Sequence, residues 1–192
     1  MTPRDNLLRC IRFETPELIP MEFHVNHACW NHYDQEALKD LMESHRILFP
    51  GYARPAGRVA PEYLPNARAG RPFTDPWGCV WETTDDGITG SVHGHPLETW
   101  DGFEDYAPPD PDLTDGTYPV EWEEMATEAR TDRAAGGIVW GGLPHGHTFL
   151  RLGDLRGYEA LICDMADNEP RLWRLIEMVE AVPTLRAIKD WC

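Results

Sequence analysis

In residues 136–143, Gly136-Gly-Ile-Val-Trp-Gly-Gly-Leu143, the first glycine pair introduces a continuous apolar run from Ile138 to Leu143. A continuous apolar run of this length suits a strand buried on both faces. The segment before it, residues 121–135, is helical by composition. After it, Leu161, Ile162 and Met165 fall on one helical stripe and Leu172, Leu175, Ile176 and Val179 on the next, until Pro183 interrupts the pattern. Helix, buried strand and helix in succession is the rhythm of parallel α/β architecture, so the expected class is α/β.

The amino-terminal third repeats that rhythm. Thr2, Pro3 and Asp5 supply an N-cap, a proline at the first helical position and an acid in the first turn, and Leu7, Leu8 and Ile11 share one stripe. Beyond the turn "ETPEL", residues 19–25 alternate: Ile19, Met21, Phe23 and Val25 point one way, Glu22 and His24 the other. That period of two predicts a strand. Residues 35–48 then place Leu38, Leu41, Met42 and Leu48 at helical spacing, with Gln35 and Glu36 favouring the positive end of the helix dipole.

From about residue 50 to 118 the composition changes. Most of the 17 prolines lie here, and no long helical period persists. The runs "CVWET" and "GSVHG" flank the turn signal Asp85-Asp-Gly87, which predicts a long functional loop carrying a small hairpin. Inside it, residues 73–82 read "FTDPWGCVWE". Trp77, Val80 and Trp81 are suited to anchoring such a loop by burying aromatic area, with Gly78 giving backbone freedom and Cys79 acting as a small hydrophobe.

The 192 residues suffice for one domain with a real core, and no internal repeat divides them. Seventeen Lys and Arg against 33 Asp and Glu give a formal charge of −16, with the basic residues scattered. That pattern leaves no footprint for nucleic acid or anionic lipid, so neither is an expected partner. Five cysteines without a C-x-x-C pair suggest a reducing cytoplasm, not a disulfide framework. No window has the apolar length of a bilayer span, and the first residues have no secretory pattern.

Three stretches, "TPRDNLLRCIRFETPELIPMEF", "FTDPWGCVWETTDDGITGSVHGHPLETWDGFEDYAPPDP" and "LRGYEALICDMADNEPRLWRLIEMV", resemble in order and spacing the amino-terminal half of the uroporphyrinogen decarboxylase superfamily. The resemblance covers nearly the whole chain. It implies a TIM-type (β/α)8 barrel with its site at the carboxyl ends of the strands. Such a barrel needs about 250 residues, so residues 1–192 are expected to form a single incomplete barrel domain supplying two or three strands. The closing "RAIKDWC" reads like a helix cut before the next strand, as in a truncated chain.

The superfamily's decarboxylases gather the pyrrole N–H groups of their substrate on an aspartate in a segment F-S-D-I-L, and Phe73-Thr74-Asp75 falls at that place. The resemblance thus implies a catalytic and substrate-binding role for Asp75, on a loop closing over the barrel mouth with Trp77 beside it. The residues alone allow another reading, an aspartate before proline capping a turn. Two decarboxylase features are absent. The paired arginines of R-Q-A-G-R are replaced by His24-Val-Asn-His-Ala-Cys29, and the tyrosine after G-A-P-W aligns with Gly153. Arg68-Ala-Gly-Arg71 lies some forty residues too late to replace them. A polycarboxylate substrate is poorly served without bidentate arginines.

These departures favour the superfamily's other branch, methyltransferases that move a methyl group between a corrinoid protein and a thiol or amine-derived substrate. The resemblance implies zinc and a corrinoid protein for the full-length parent, with the zinc ligands in the second half of the barrel; no metal ligand is assigned in this chain. A small molecule or a corrinoid protein is the expected partner, and a homodimer or a separate carboxyl-terminal half is the expected assembly. The competing expectations are a tetrapyrrole decarboxylase of porphyrin biosynthesis and a non-catalytic half-barrel that binds or assembles.

Among titratable groups, Glu22 and His24 stand near the carboxyl end of the first expected strand, where they can form a catalytic proton-transfer pair; Glu22 can equally face an outer helix layer. His145 and His147 follow the second expected strand and are candidates for substrate binding at the rim. His93 and His95 repeat the H-x-H spacing, and His27-Ala-Cys29 has H-x-C spacing without a third ligand at a recognisable interval.

Overall fold

The structure, a computed structural model, describes residues 2–21, 23–140 and 146–181. Among these residues the fold is mixed α/β, with seven helices and one three-stranded antiparallel sheet. Helix α1 (Pro3–Ile11) begins in a capping box: Thr2 Oγ1 accepts from the Asp5 amide at 3.1 Å, and the Asp5 carboxylate accepts from the Thr2 amide. Helix α2 (Cys29–His32) is a single turn, and α3 (Gln35–Ser44) is capped by Asp34, whose side chain accepts from the Ala37 amide at 2.8 Å.

The region read as a long loop is where the sheet lies. Strand β1 (Phe73–Thr74) pairs with β2 (Val80–Glu82), and β2 pairs with β3 (Ser91–Gly94) around the Asp85-Asp86-Gly87 turn. The register slips between Val80 and Trp81, so β3 carries a bulge. Two glycines permit the pairing. A Cβ on Gly90 would meet the Glu82 carbonyl oxygen at 2.2 Å, and one on Gly94 would meet Val80 Cγ2 at 2.8 Å.

Helix α4 (Trp122–Ala134) buries none of its side chains and is surface structure. The remaining three, α5 (Phe149–Arg156), α6 (Tyr158–Asp167) and α7 (Pro170–Ala181), form a layer against the sheet region. Gly157, at φ 78°, breaks α5 from α6, and Asn168 ends α6 in the left-handed region. Between the layers sits the core: Trp77, Cys79, Leu97 and Phe103 from one side, Leu152, Leu155, Leu161, Leu172, Leu175 and Val179 from the other. Leu155, Leu161 and Leu175 are completely buried, and each contributes about 1.5–3 kcal/mol by leaving water.

An ion pair pins the helical layer. Arg156 Nε donates to Asp164 Oδ2 at 2.8 Å, Trp100 Nε1 donates to Asp164 Oδ1 at 3.1 Å, and the guanidinium carbon lies 4.1 Å from the Trp100 ring centroid. Both charges are buried, and each is paired.

Among the described residues neither of the two expected strands is present. Residues 19–21 and 23–25 belong to no sheet; one backbone bond, from the Phe23 amide to the Leu48 carbonyl at 2.9 Å, ties the segment to the rest. Ile19, Met21 and Phe23 are 68%, 51% and 54% exposed. Alternation names an apolar face but supplies no neighbouring strand, and without one the backbone stays unladdered. Residues 138–140 are likewise outside any sheet, with Trp140 exposed, and residues 141–143 lie outside the described residues. The sheet that does form is antiparallel, where parallel strands were expected. No helix among the described residues is long and apolar enough to cross a membrane.

Candidate functional site

The stretch from Phe73 to Glu82 is folded around one carboxylate. Asp75 begins a tight turn in which the Gly78 amide donates to the Asp75 carbonyl at 2.9 Å and the Asp75 amide donates to the Cys79 carbonyl at 3.0 Å. Its side chain then collects four donors. Oδ1 accepts from the amides of Trp77 at 3.0 Å and Cys79 at 2.9 Å; Oδ2 accepts from Trp81 Nε1 at 3.0 Å and Arg151 Nη1 at 2.8 Å. The side chain is wholly buried. A carboxylate with four close donors has its acceptor capacity filled by its own chain.

Arg151 comes from α5, across the layer boundary. Its guanidinium lies 5.5 Å from the Trp77 ring centroid, and it also reaches 3.8 Å from the carboxylate of Asp154, one turn along the same helix. Tyr106 closes the far side of the turn by donating its hydroxyl to the Trp77 carbonyl at 2.7 Å. Burial pushes the Tyr106 hydroxyl well above the ordinary range, and it pushes the Cys79 thiol up to about 12. Cys79 is thus a core group, not a nucleophile.

Above this arrangement opens a cavity of about 500 Å³. Trp77, Trp81 and Tyr118 supply aromatic wall, and Arg151, Asp154 and His147 supply polar wall. The volume is in the range of small-molecule sites. Asp154 differs from Asp75 in that its carboxylate accepts no hydrogen bond from the described residues; its side chain is 24% exposed and its one charged contact is Arg151. Burial raises its affinity for a proton, Asp75 adds to the effect, and Arg151 and His95 oppose it. Its main-chain carbonyl is held by His95 Nδ1 at 2.8 Å, which fixes this turn of α5 against the end of β3. Chemically the cavity offers an available carboxyl group for proton transfer or charge pairing beside aromatic surface.

The residues expected from the sequence separate into three groups. Trp77 and His147 line the cavity. Asp75 lies directly behind its wall, sealed from it, so its geometry is that of a structural hub and gives no support to substrate contact. His24 lies on the exposed segment before α2 and is not part of the cavity lining, while Glu22 and His145 fall outside the described residues. Sequence reasoning missed Arg151 and Asp154. Their spacing of three would have placed them on one helical face, had residues 149–156 been recognised as a helix of their own.

No group of three or more His, Cys, Asp or Glu side chains among the described residues converges to hold a metal. His93 bonds to Ser91 while His95 bonds to Asp154, so this H-x-H pair divides between two neighbours. The described residues therefore do not fit zinc, and no step is derived through it. Comparison of the chain with family models, with curated proteins and with solved structures found no match.

Proposed function

We propose that the chain is the amino-terminal part of an enzyme of the uroporphyrinogen decarboxylase superfamily, on the methyl-transfer branch, and that it contributes a small-molecule pocket to a partial (β/α)8 barrel. The observation that carries the choice of branch is the pairing of Asp75 with Arg151. The carboxylate that a decarboxylase would turn to pyrrole N–H groups is filled by four internal donors, and the guanidinium in the cavity wall is spent on that carboxylate. A tetrapyrrole with many carboxylates finds Asp75 already filled and, in the cavity wall, no free bidentate arginine. The barrel reading draws on the exposed apolar side chains of Ile19, Met21, Phe23 and Trp140, which further strands of a closed barrel would cover. The partner in this reading is a small methyl acceptor or a methyl-carrying corrinoid protein. Four free cysteines among the described residues suit a reducing compartment such as the cytoplasm.

Equilibrium dialysis of the purified chain tests the choice. Against uroporphyrin, an octacarboxylate, the reading expects no saturable uptake at micromolar concentration; against methylcobalamin it expects retention. Saturable uroporphyrin binding would return the decarboxylase reading to the front. Retention of neither compound favours a second reading, a binding or assembly module, which draws on the same exposed Ile19, Met21 and Phe23. That module would be recognised by self-association in size-exclusion chromatography.

A further inference from the structure

The cavity's charges do not balance. Arg151 bridges Asp75 and Asp154, at 2.8 and 3.8 Å, so two carboxylates share one guanidinium. Asp75 takes the closer contact and three further donors, which leaves Asp154 as the under-neutralised group. The other lining acid, Asp115, uses Oδ1 to accept from the amides of Thr117 and Tyr118 and adds a second negative charge at the rim. A partly dehydrated cavity with excess negative charge and aromatic walls selects positive charge.

We propose that this cavity binds a small organic cation, a substituted ammonium group, with its charge against the Asp154 carboxylate and its alkyl substituents against Trp81 and Tyr118. The inference goes beyond the methyl-transfer reading, because it stands on the cavity's own charge and rings whichever reaction the parent enzyme performs. An ammonium centre satisfies the Asp154 carboxylate where the chain itself does not. Its alkyl groups displace water from aromatic surface, and a cation near an indole or phenol ring gains further from the ring quadrupole. An anionic ligand would have to displace Asp75 from Arg151 and approach Asp154, and both cost free energy.

Binding is also coupled to a proton. The groups facing Asp154 are Asp75 and Cys79 from the β1–β2 turn, His95 after β3, His147 before α5, Arg151 on α5, and Asp115 across the cavity. Burial favours the protonated carboxyl in the empty cavity, and a bound cation favours the carboxylate. Affinity for the cation therefore rises with pH as Asp154 gives up its proton.

Isothermal titration of the chain with choline and with its uncharged carbon isostere, dimethylbutanol, reads the proposal directly. Choline is expected to bind about tenfold or more tightly than the alcohol, the factor a desolvated cation contact supplies. In Asp154→Asn the advantage of choline is expected to vanish while circular dichroism stays unchanged. Equal binding of the two compounds by the native chain, or binding of neither, overturns the proposal even if the variant does not fold. An advantage for choline that survives in a folded Asp154→Asn chain also overturns it. The dialysis result is independent: uroporphyrin uptake sinks the methyl-transfer reading and leaves the choline comparison to stand or fall by itself.

Discussion

The segments at 19–25 and 73–82 invert what their patterns suggest. The first alternates cleanly and reads as a strand of a sheet, yet Ile19, Met21 and Phe23 lie exposed, and among the described residues its backbone is tied by the bond from the Phe23 amide to the Leu48 carbonyl. The second is punctuated by proline and glycine like a loop, yet Trp77 and Cys79 are buried in the core and Asp75 is sealed beside them. Period-two hydrophobicity specifies a face, and a face becomes buried only when another element covers it. A carboxylate whose four bonding positions are filled by a turn, an indole and a guanidinium fixes its surroundings by itself.

Substitutions can break this comparison. The largest effect is expected at Asp75. Asp75→Asn keeps one oxygen for the Trp77 and Cys79 amides but sets an NH2 group against the Trp81 indole and the Arg151 guanidinium and removes the closer of the two carboxylates on Arg151, so urea unfolding should show a loss of roughly 3–5 kcal/mol. A loss under about 1 kcal/mol, within the range of surface changes, would mean the hub contributes little. Leu155→Ala, at a completely buried contact between α5 and the sheet region, should cost about 2–5 kcal/mol by leaving a cavity.

A subtler effect concerns pH. Asp154 binds a proton more tightly in the folded chain than in the unfolded one, because of burial. Its contribution to stability is complete below the ordinary carboxylate range and is lost as pH rises through the raised folded value. Asp154→Asn removes that loss. The variant should equal or exceed the native chain in stability at neutral pH, with the difference narrowing as the solution is acidified. A variant that is less stable at neutral pH would assign Asp154 a structural role like that of Asp75. The smallest effect is expected in the exposed segment: Phe23→Ser should change stability by no more than about 0.5 kcal/mol in chemical denaturation. A larger loss would mean that residues 19–25 are covered in solution, by a second copy or another chain.

What could be read in advance followed local chemistry. The N-cap at Thr2 with Asp5 in the first turn, the hairpin around Asp85-Asp86-Gly87, and the stripes of α6 and α7 each depend on residues within a few positions of one another, and each is present. Asp75 is expected from the resemblance to contact substrate, whereas the turn-capping alternative matches the bonds it makes to the Trp77 and Cys79 amides, and the anchoring of Trp77 was legible from its size. The partner of Asp75 was not, because Arg151 lies 76 residues away along the chain. The same distance hid Asp154, whose importance comes from a wall built by Trp77, β2, β3 and the 115–118 turn, and from its weak neutralisation by Arg151. Topology was the least legible level: apolar runs at 19–25 and 138–140 carry strand-like composition, but nothing local names the neighbour that would ladder them.

The central claim is that the stretch around Asp75 is the structural centre of the chain and the alternating segment is peripheral. Native-state amide hydrogen exchange tests it most directly, because the two regions carry comparable reporters. The Trp77 and Cys79 amides donate to the buried Asp75 carboxylate, and the Phe23 amide donates to the Leu48 carbonyl. The account predicts that the Trp77 and Cys79 amides exchange only through global unfolding, while the Phe23 amide exchanges through local opening several orders of magnitude faster. Phe23 protection equal to or above that of Trp77 and Cys79 would contradict it and place residues 19–25 in a covered strand.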